Sequence, residues 1–338
     1  MPLAPAAIRG GARPSRTGLR DAAEPVRIRQ GVEPGEGNSP GARDERSSAE
    51  RTGACVSNAI ASVDHDVLLF DLDGVVYVGP NAVPGAVEAI SAAVLRGVRC
   101  CFVTNNASRT AEEVALHLRE LGIPATAEDV VTSSQAGAGL VAERVDAGDV
   151  LAVGGRGVWE ALRERGFRPV PAFDDSTVAV MQGYGPDVGW RDLAEATFAI
   201  RAGLPWIATN LDMTFPTPRG MAPGNGALVG AVAAAAGRSP DAVAGKPEPA
   251  LLLEAIRRTG AVRPLMIGDR LDTDIAAGGR LGIPTLLVMT GVCDEAGLAS
   301  AEGHEVPTFV ANHLGCIESG GPLPLHEPGR WQTTKEGR

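Results

Sequence analysis

In "LLFDLDGVVYVG", residues 68–79, an apolar run ends in two aspartates, Asp71 and Asp73, followed at once by Gly74. Carboxylates are costly to bury unless they are paired or bind a metal. The stretch is therefore either a plain strand exit or a strand that delivers acids to a reaction centre. Three later stretches carry matching chemistry. "VTNN" presents Thr104, Asn105 and Asn106, "AGKPEP" presents Lys246, and "GDRLDTDI" presents Asp269, Arg270, Asp272 and Asp274. Gathered carboxylates repel one another and favour a hard divalent cation such as Mg2+. A phosphate beside them would need that cation, a lysine and neutral donors, and Lys246, Thr104 and Asn105 supply the protein's part. One aspartate can then act as a nucleophile that forms an aspartyl-phosphate. Another can protonate the leaving alcohol and afterwards deprotonate water.

Such convergence needs a scaffold that brings distant residues to one edge. The chain alternates short apolar runs with helical patterns. Residues 66–72, 98–105, 263–269 and 284–291 read as buried strands, and 85–97, 110–122, 249–260 and 273–282 read as helices. A further strand and helix are expected over 130–145. Thr110 suits a helix N-cap, and Asp272 or Thr273 is expected to cap the helix that follows. Strands alternating with helices imply parallel pairing and an α/β fold, in which ligands bind at the carboxyl ends of the strands. All four motifs fall at such ends.

The remaining signals bound the organisation. A length of 338 residues suggests about two domains, and residues 147–241 form a second βα-rich region long enough to be an inserted domain. Residues 1–62 and 318–338 lack apolar period and read as a disordered extension and tail. An organelle-targeting peptide is the functional alternative for the first segment, although its acids argue against it. A net charge of −10 argues against a nucleic-acid partner, and no apolar stretch is long enough for a membrane span. Five cysteines without a framework suggest a reduced, cytoplasmic setting. "GYGPDVG" and "GGRGVWEA" only superficially resemble dinucleotide loops, and the scattered histidines offer no metal site.

The four motifs, in this order and spacing, resemble those of the haloacid dehalogenase (HAD) superfamily. More narrowly, residues 64–315 are similar to its subfamily IIA phosphatases, the nagD-like, p-nitrophenyl phosphate, phosphoglycolate and glycerol-3-phosphate branch. The resemblance implies a Rossmann-like parallel-sheet core, residues 63–146 and 242–317, with an α/β cap of the C2 type, residues 147–241, inserted between its second and third motifs. It implies Asp71 as nucleophile and metal ligand, and Asp73 as acid/base with its backbone carbonyl on the metal. Thr104 and Asn105, with Asn106 beside them, would hold the phosphoryl group, Lys246 would neutralise it, and Asp269 and Asp274 would complete the metal shell. In the cap, "ATNLDMTFPTPRGMAPGNGALVGAV" (208–232) resembles a loop that meets the leaving group. Asn210, Asp212, Phe215 and Arg219 are its candidates for contact. Phe215 falls about where relatives acting on pyridoxal phosphate carry a histidine, which argues against that substrate. The resemblance thus implies a Mg2+-dependent phosphatase of a small phosphorylated metabolite such as glycerol 3-phosphate or 2-phosphoglycolate. By analogy it implies a homodimer joined through the cap. A non-hydrolysing binding protein, or a phosphotransferase to an acceptor other than water, is the alternative.

Overall fold

Hydrophobic runs with nothing polar between them can be satisfied only where a sheet is covered on both faces, and the structure, a computed structural model, places them there. It describes residues 65–217, 219–318, 323, 325 and 326. The extension expected over 1–62 lies outside the described residues. The strands in chain order are β1 (Val67–Phe70), a hairpin of β2 (Tyr77–Val78) and β3 (Asn81–Ala82), β4 (Arg99–Thr104) and β5 (Val130–Thr132). Then come β6 (Asp149–Val153), β7 (Arg168–Val170), β8 (Thr177–Gln182), β9 (Trp206–Ala208), a second hairpin of β10 (Thr214–Thr217) and β11 (Gly220–Pro223), and β12 (Ala242–Val243). The last three are β13 (Pro264–Gly268), β14 (Thr285–Val288) and β15 (Phe309–Ala311).

Six strands form one sheet in the order β15-β14-β13-β1-β4-β5, and every pairing is parallel. Within β1 the side chains alternate between two cores. Leu68 and Phe70 join the layer under helices Ala86–Leu95 and Ala111–Glu120, while Val67 and Leu69 join the layer with Leu251, Leu252 and Met266. This period of two leaves all four side chains dry. The Phe70 and Phe102 rings stack at 5.8 Å between centroids on adjacent strands.

Five more strands form a second parallel sheet in the order β12-β9-β8-β6-β7, with its own core on each face. This sheet draws on residues 149–243, so its edge strand β12 runs two residues past the break expected at 241. Among the described residues, no helix is long and apolar enough to cross a membrane.

Local chemistry explains several boundaries. Thr110 Oγ1 accepts from the Glu113 amide at 3.2 Å, and Glu113 accepts from the Thr110 amide at 2.8 Å, a reciprocal cap. Three expectations need correction. The segment expected as one helix over 273–282 is a π-helical turn, Leu271–Ile275, that leads into an α-helix, Ala276–Leu281. Neither Asp272 nor Thr273 caps it: Arg270 holds the N-cap position, Asp272 pairs with the Arg270 guanidinium, and the Asp274 carboxylate accepts from the Arg270 amide. The tail expected to be unstructured from 318 is seated at its described residues. Leu323 is buried in the core, Leu325 bridges Phe309, and the His326 amide donates to Thr308 O at 3.0 Å. An apolar side chain and an open sheet edge at β15 together supply the reason.

Replacing Phe102, 1% exposed, by alanine opens a cavity at the stacked pair and costs about 3–5 kcal/mol. A urea titration should show that loss as a lowered midpoint with an unchanged slope. A midpoint equal to that of the parent chain would contradict the packing described.

Candidate active site

The register of the central strands decides which motifs meet. Phe70 stands opposite Ile267 on one side and Phe102 on the other. The residues after them, Asp71, Gly268 with Asp269, and Val103 with Thr104, therefore emerge together at the carboxyl edge. Gly74 then turns the chain at a φ of +89°, a conformation open mainly to glycine. A Cβ there would also lie 2.6 Å from Asp269 Oδ2, and one at Gly291 would overlap the same carboxylate. Thr290 Oγ1 donates to Gly74 O at 2.7 Å and fastens the two loops around it.

One carboxylate oxygen from each of Asp71, Asp269 and Asp274 lies within 4.8 Å of the other two, all three residues buried. Lys246, 3% exposed, is the cation among them. Its Nζ stands 2.6 Å from Asp71 Oδ1, 2.7 Å from Asp274 Oδ1 and 3.5 Å from Val103 O. One ammonium cannot balance three carboxylates, and the excess shows in their acidities. Burial raises the Asp71 carboxyl above its usual range, with Asp73 adding to the rise and Lys246 opposing it. Burial and the neighbouring Asp274 and Asp71 charges push Asp269 up to about 7. Burial pushes Asp274 up to about 6 against the pull of Lys246. Burial alone would lower the Lys246 ammonium, but Asp274 and Asp71 outweigh it and keep the lysine protonated.

Asp269 Oδ2 accepts from the Val292 amide at 2.7 Å, whereas its Oδ1 is buried with no hydrogen-bond partner among the described residues. A buried orphan oxygen beside two more carboxylates fits a hard divalent cation, which would supply that partner and cancel the excess charge. Asp71, Asp269 and Asp274 would hold it.

Asp73 belongs elsewhere. Its side chain reaches solvent, outside the carboxylate trio. Crowding by the surrounding protein raises its carboxyl, and Arg109, Lys246 and His117 draw it down. An acid at the open side of a site can give a proton to a leaving group and take one from water.

The neutral residues are more constrained than their types suggest. Thr104 is buried, and its Oγ1 accepts from the Asn106 amide at 3.0 Å. Asn106 Oδ1 accepts from the Ser108 amide and hydroxyl, which shapes the turn into helix Ala111–Glu120. Asn105 has no idle side-chain atom. Its Nδ2 donates to Lys246 O at 3.0 Å and to Asp212 Oδ2 at 3.1 Å, and its Oδ1 accepts from the Lys246 amide at 2.8 Å. Its side chain thus braces the lysine on both sides. Asn210 is buried and donates to Asn105 O at 2.7 Å. Asp212 is half-buried; burial raises its carboxyl and the Asn105 bond lowers it. Phe215 packs on Tyr184 with ring centroids 4.7 Å apart, and Arg219 is exposed at the tip of the β10–β11 hairpin.

Sequence reasoning overlooked Arg109, whose guanidinium lies 3.5 Å from the Tyr77 hydroxyl and faces Asp73. Only its place five residues after Thr104 could have marked it. It also overlooked Gly291, which no residue-type signal announces. A cleft of about 1010 Å3 opens elsewhere, beside Gly155, Arg156, Gln135 and Arg258. Asp71, Asp73, Asp269 and Asp274 do not line it.

Comparison with known proteins gives consistent matches. Residues 68–168 match the model of the haloacid dehalogenase-like hydrolases, and residues 243–316 match a HAD-hydrolase-like model. The chain is 46% identical over 272 residues to the D-glycerol 3-phosphate phosphatase of Mycobacterium tuberculosis, spanning 80% of this chain and 76% of that protein. It is 38% identical over 226 residues to an acid sugar phosphatase of Staphylococcus aureus, 66% of this chain and 86% of that one. The crystal structure of the Mycobacterium tuberculosis glycerol phosphate phosphatase in complex with magnesium superposes with a TM-score of 0.72 at 46% identity, covering 77% of this chain and 78% of that chain.

Asp269 near 7 and Asp274 near 6 stand above the ordinary carboxylate value of about 4. A raised acid takes up protons on folding. Its stabilisation is therefore complete below the unfolded value and is lost as pH rises through the folded one. In a chelator, Tm should fall as pH rises from about 4 to about 7, and an added divalent cation should restore it most at the upper end of that range. Thermal melts across that range check this, and equal cation-induced shifts at both ends would contradict it.

Proposed function

The chain belongs to the haloacid dehalogenase-like hydrolases, and on that footing we propose a Mg2+-dependent phosphomonoesterase that works through an aspartyl-phosphate on Asp71, with glycerol 3-phosphate as its substrate. The observation that carries the reading is the buried Lys246 ammonium, 2.6 Å from Asp71 and 2.7 Å from Asp274, beside the orphaned Asp269 oxygen.

The geometry suits the chemistry as follows. Lys246 fixes one Asp71 oxygen and leaves the other to attack phosphorus. As the Asp71 O–P bond forms, the P–O bond to the leaving alcohol breaks, and Asp73 gives that alkoxide its proton. Asp73, now a carboxylate at the solvent side, takes a proton from water as that water attacks the phosphoryl group, which leaves as inorganic phosphate. Asp71 is thereby regenerated. When bound, Mg2+ would supply charge stabilisation for the phosphoryl oxygens. Such transfer depends on positioning and electrostatics more than on covalent machinery.

In this reading the lobe of the smaller sheet, residues 147–243, acts as the cap, and residues 63–146 with 244–317 act as the core. Similarity to the glycerol 3-phosphate phosphatase favours that substrate. The cap loop adds a reason, because Asp212 can accept from a glycerol hydroxyl and would repel the carboxylate of 2-phosphoglycolate. We further place the protein in the cytoplasm, as a homodimer joined through the cap. The four described cysteines are all unpaired, and Trp190 and Phe198 are exposed on helix Trp190–Arg201. Sedimentation at micromolar concentration tests the dimer, and a monomeric boundary would rule it out.

Phosphate release from p-nitrophenyl phosphate should require Mg2+ and vanish in a chelator. Asp71→Asn should lower kcat by at least about a thousandfold, as expected for loss of a covalent nucleophile. Appreciable turnover in that variant would sink the mechanism. In a panel of phosphorylated metabolites, glycerol 3-phosphate should give the highest kcat/KM, and a nucleotide or 2-phosphoglycolate in first place would overturn the substrate assignment.

A further inference from the structure

Lys246 is catalytically useful only if its ammonium stays between Asp71 and Asp274, yet its backbone belongs to neither of their strands. It follows β12 by three residues. Ala244 N donates to Ala208 O at 2.9 Å, so the lysine loop hangs from β9 and β12 of the second sheet. Across from it stands Asn105, whose side chain bonds both the amide and the carbonyl of Lys246. Gly245 lies at the junction. A Cβ there would come within 2.7 Å of Asn105 Oδ1, 2.8 Å of Thr209 O and 2.9 Å of Asn210 Cβ. Two chain segments, at Asn105 and at Thr209–Asn210, thus close on Gly245 with no room for a side chain there.

The bonds continue away from the reaction. Asn210 Nδ2 donates to Asn105 O at 2.7 Å, and Asn210 Oδ1 accepts from the Asp212 amide at 3.2 Å. Behind Asn210 stands Asn225, 1% exposed, the first residue of helix Asn225–Ala236. Its Nδ2 donates to Asn210 O at 2.8 Å and lies 3.4 Å from Gln182 O at the end of β8. Its Oδ1 has no partner among the described residues, so the position uses the donor alone. An amide that leaves one buried oxygen unpaired is costly to keep. Its donation must stabilise something that a smaller apolar residue would not.

We propose that Asn225 is a positioning residue for catalysis. Through Asn210 and Asn105 it sets the placement of Lys246 relative to Asp71, and with it the seat of Asp212 in the cap loop. The three amides form one series: Asn225 holds the Asn210 backbone, Asn210 holds the Asn105 backbone, and Asn105 holds Lys246 on both sides. Asn225 is buried behind Asn210 and outside the carboxylate trio, so its effect on the lysine passes through the other two amides. This assignment rests on the hydrolase reading above.

The test is a double-mutant cycle on the full chain, with p-nitrophenyl phosphate and Mg2+, each variant assayed well below its own Tm. Displacing a catalytic group by about 1 Å can cost a hundredfold, and one lost hydrogen bond corresponds to about tenfold. Asn225→Ala should therefore lower kcat by about tenfold and Asn210→Ala by somewhat more. KM and the half-saturating Mg2+ concentration should stay within about twofold. A merely structural loss would instead lower Tm and leave the kcat of the folded fraction unchanged. The double variant should lose no more than Asn210→Ala alone, because both act on one series. If Asn225→Ala does not fold, Asn225→Ser, whose hydroxyl is too short to reach both carbonyls, takes its place with a loss of about threefold. Folded single variants with parental kcat, or a double variant that loses the product of the two single losses, would overturn the proposal. No turnover by the parent chain would instead overturn the hydrolase reading, so the two failures are distinct.

Discussion

A single protonated lysine among three buried carboxylates is the constraint around which the site is organised. Two like charges about 4 Å apart in a low-dielectric setting repel by several kcal/mol. Lys246 cannot cancel more than part of that, and the raised acidities of Asp269 and Asp274 record the remainder. The arrangement is unfavourable for the empty protein and favourable for a divalent ion with a phosphate. Stability has been given up locally in exchange for a site already shaped for its charges, a common feature of functional centres.

The core sheet tolerates this because its centre is otherwise dry and well packed. β1 lies between β13 and β4, with side chains buried on both faces. Its register sets Asp71 next to Asp269 without help from any loop. Loops then do the finer work. The positive φ at Gly74 and the closeness of Gly291 let two turns wrap the Asp269 carboxylate, and Thr290 ties them together.

Much of this was legible in the residues alone. The alternation of strands and helices, the cap at Thr110, and the convergence of Asp71, Lys246, Asp269 and Asp274 follow from apolar period, turn chemistry and the rule that parallel strands end on one edge. What stayed hidden has physical reasons. The hairpins at 77–82 and 214–223 are too short to show alternation. The π-helical turn at 271–275 looks helical by composition. The task of Asn105 could not be read from its type, since an amide that braces a backbone and one that grips a phosphate are the same two letters in "NN". Arg109 and Leu323 act through contacts across the fold, which local pattern does not encode.

The suspension of Lys246 from β12 bears on how such proteins can be recombined. The chain passes from the edge of the smaller sheet to the lysine in three residues, and a side chain at Gly245 would collide with Asn105, Thr209 and Asn210. A chimaera that exchanged this lobe for a foreign one with its seam before residue 246 would graft a new hanger onto an old hook. The exchangeable module therefore ends beyond the lysine, so that hanger and hook travel together.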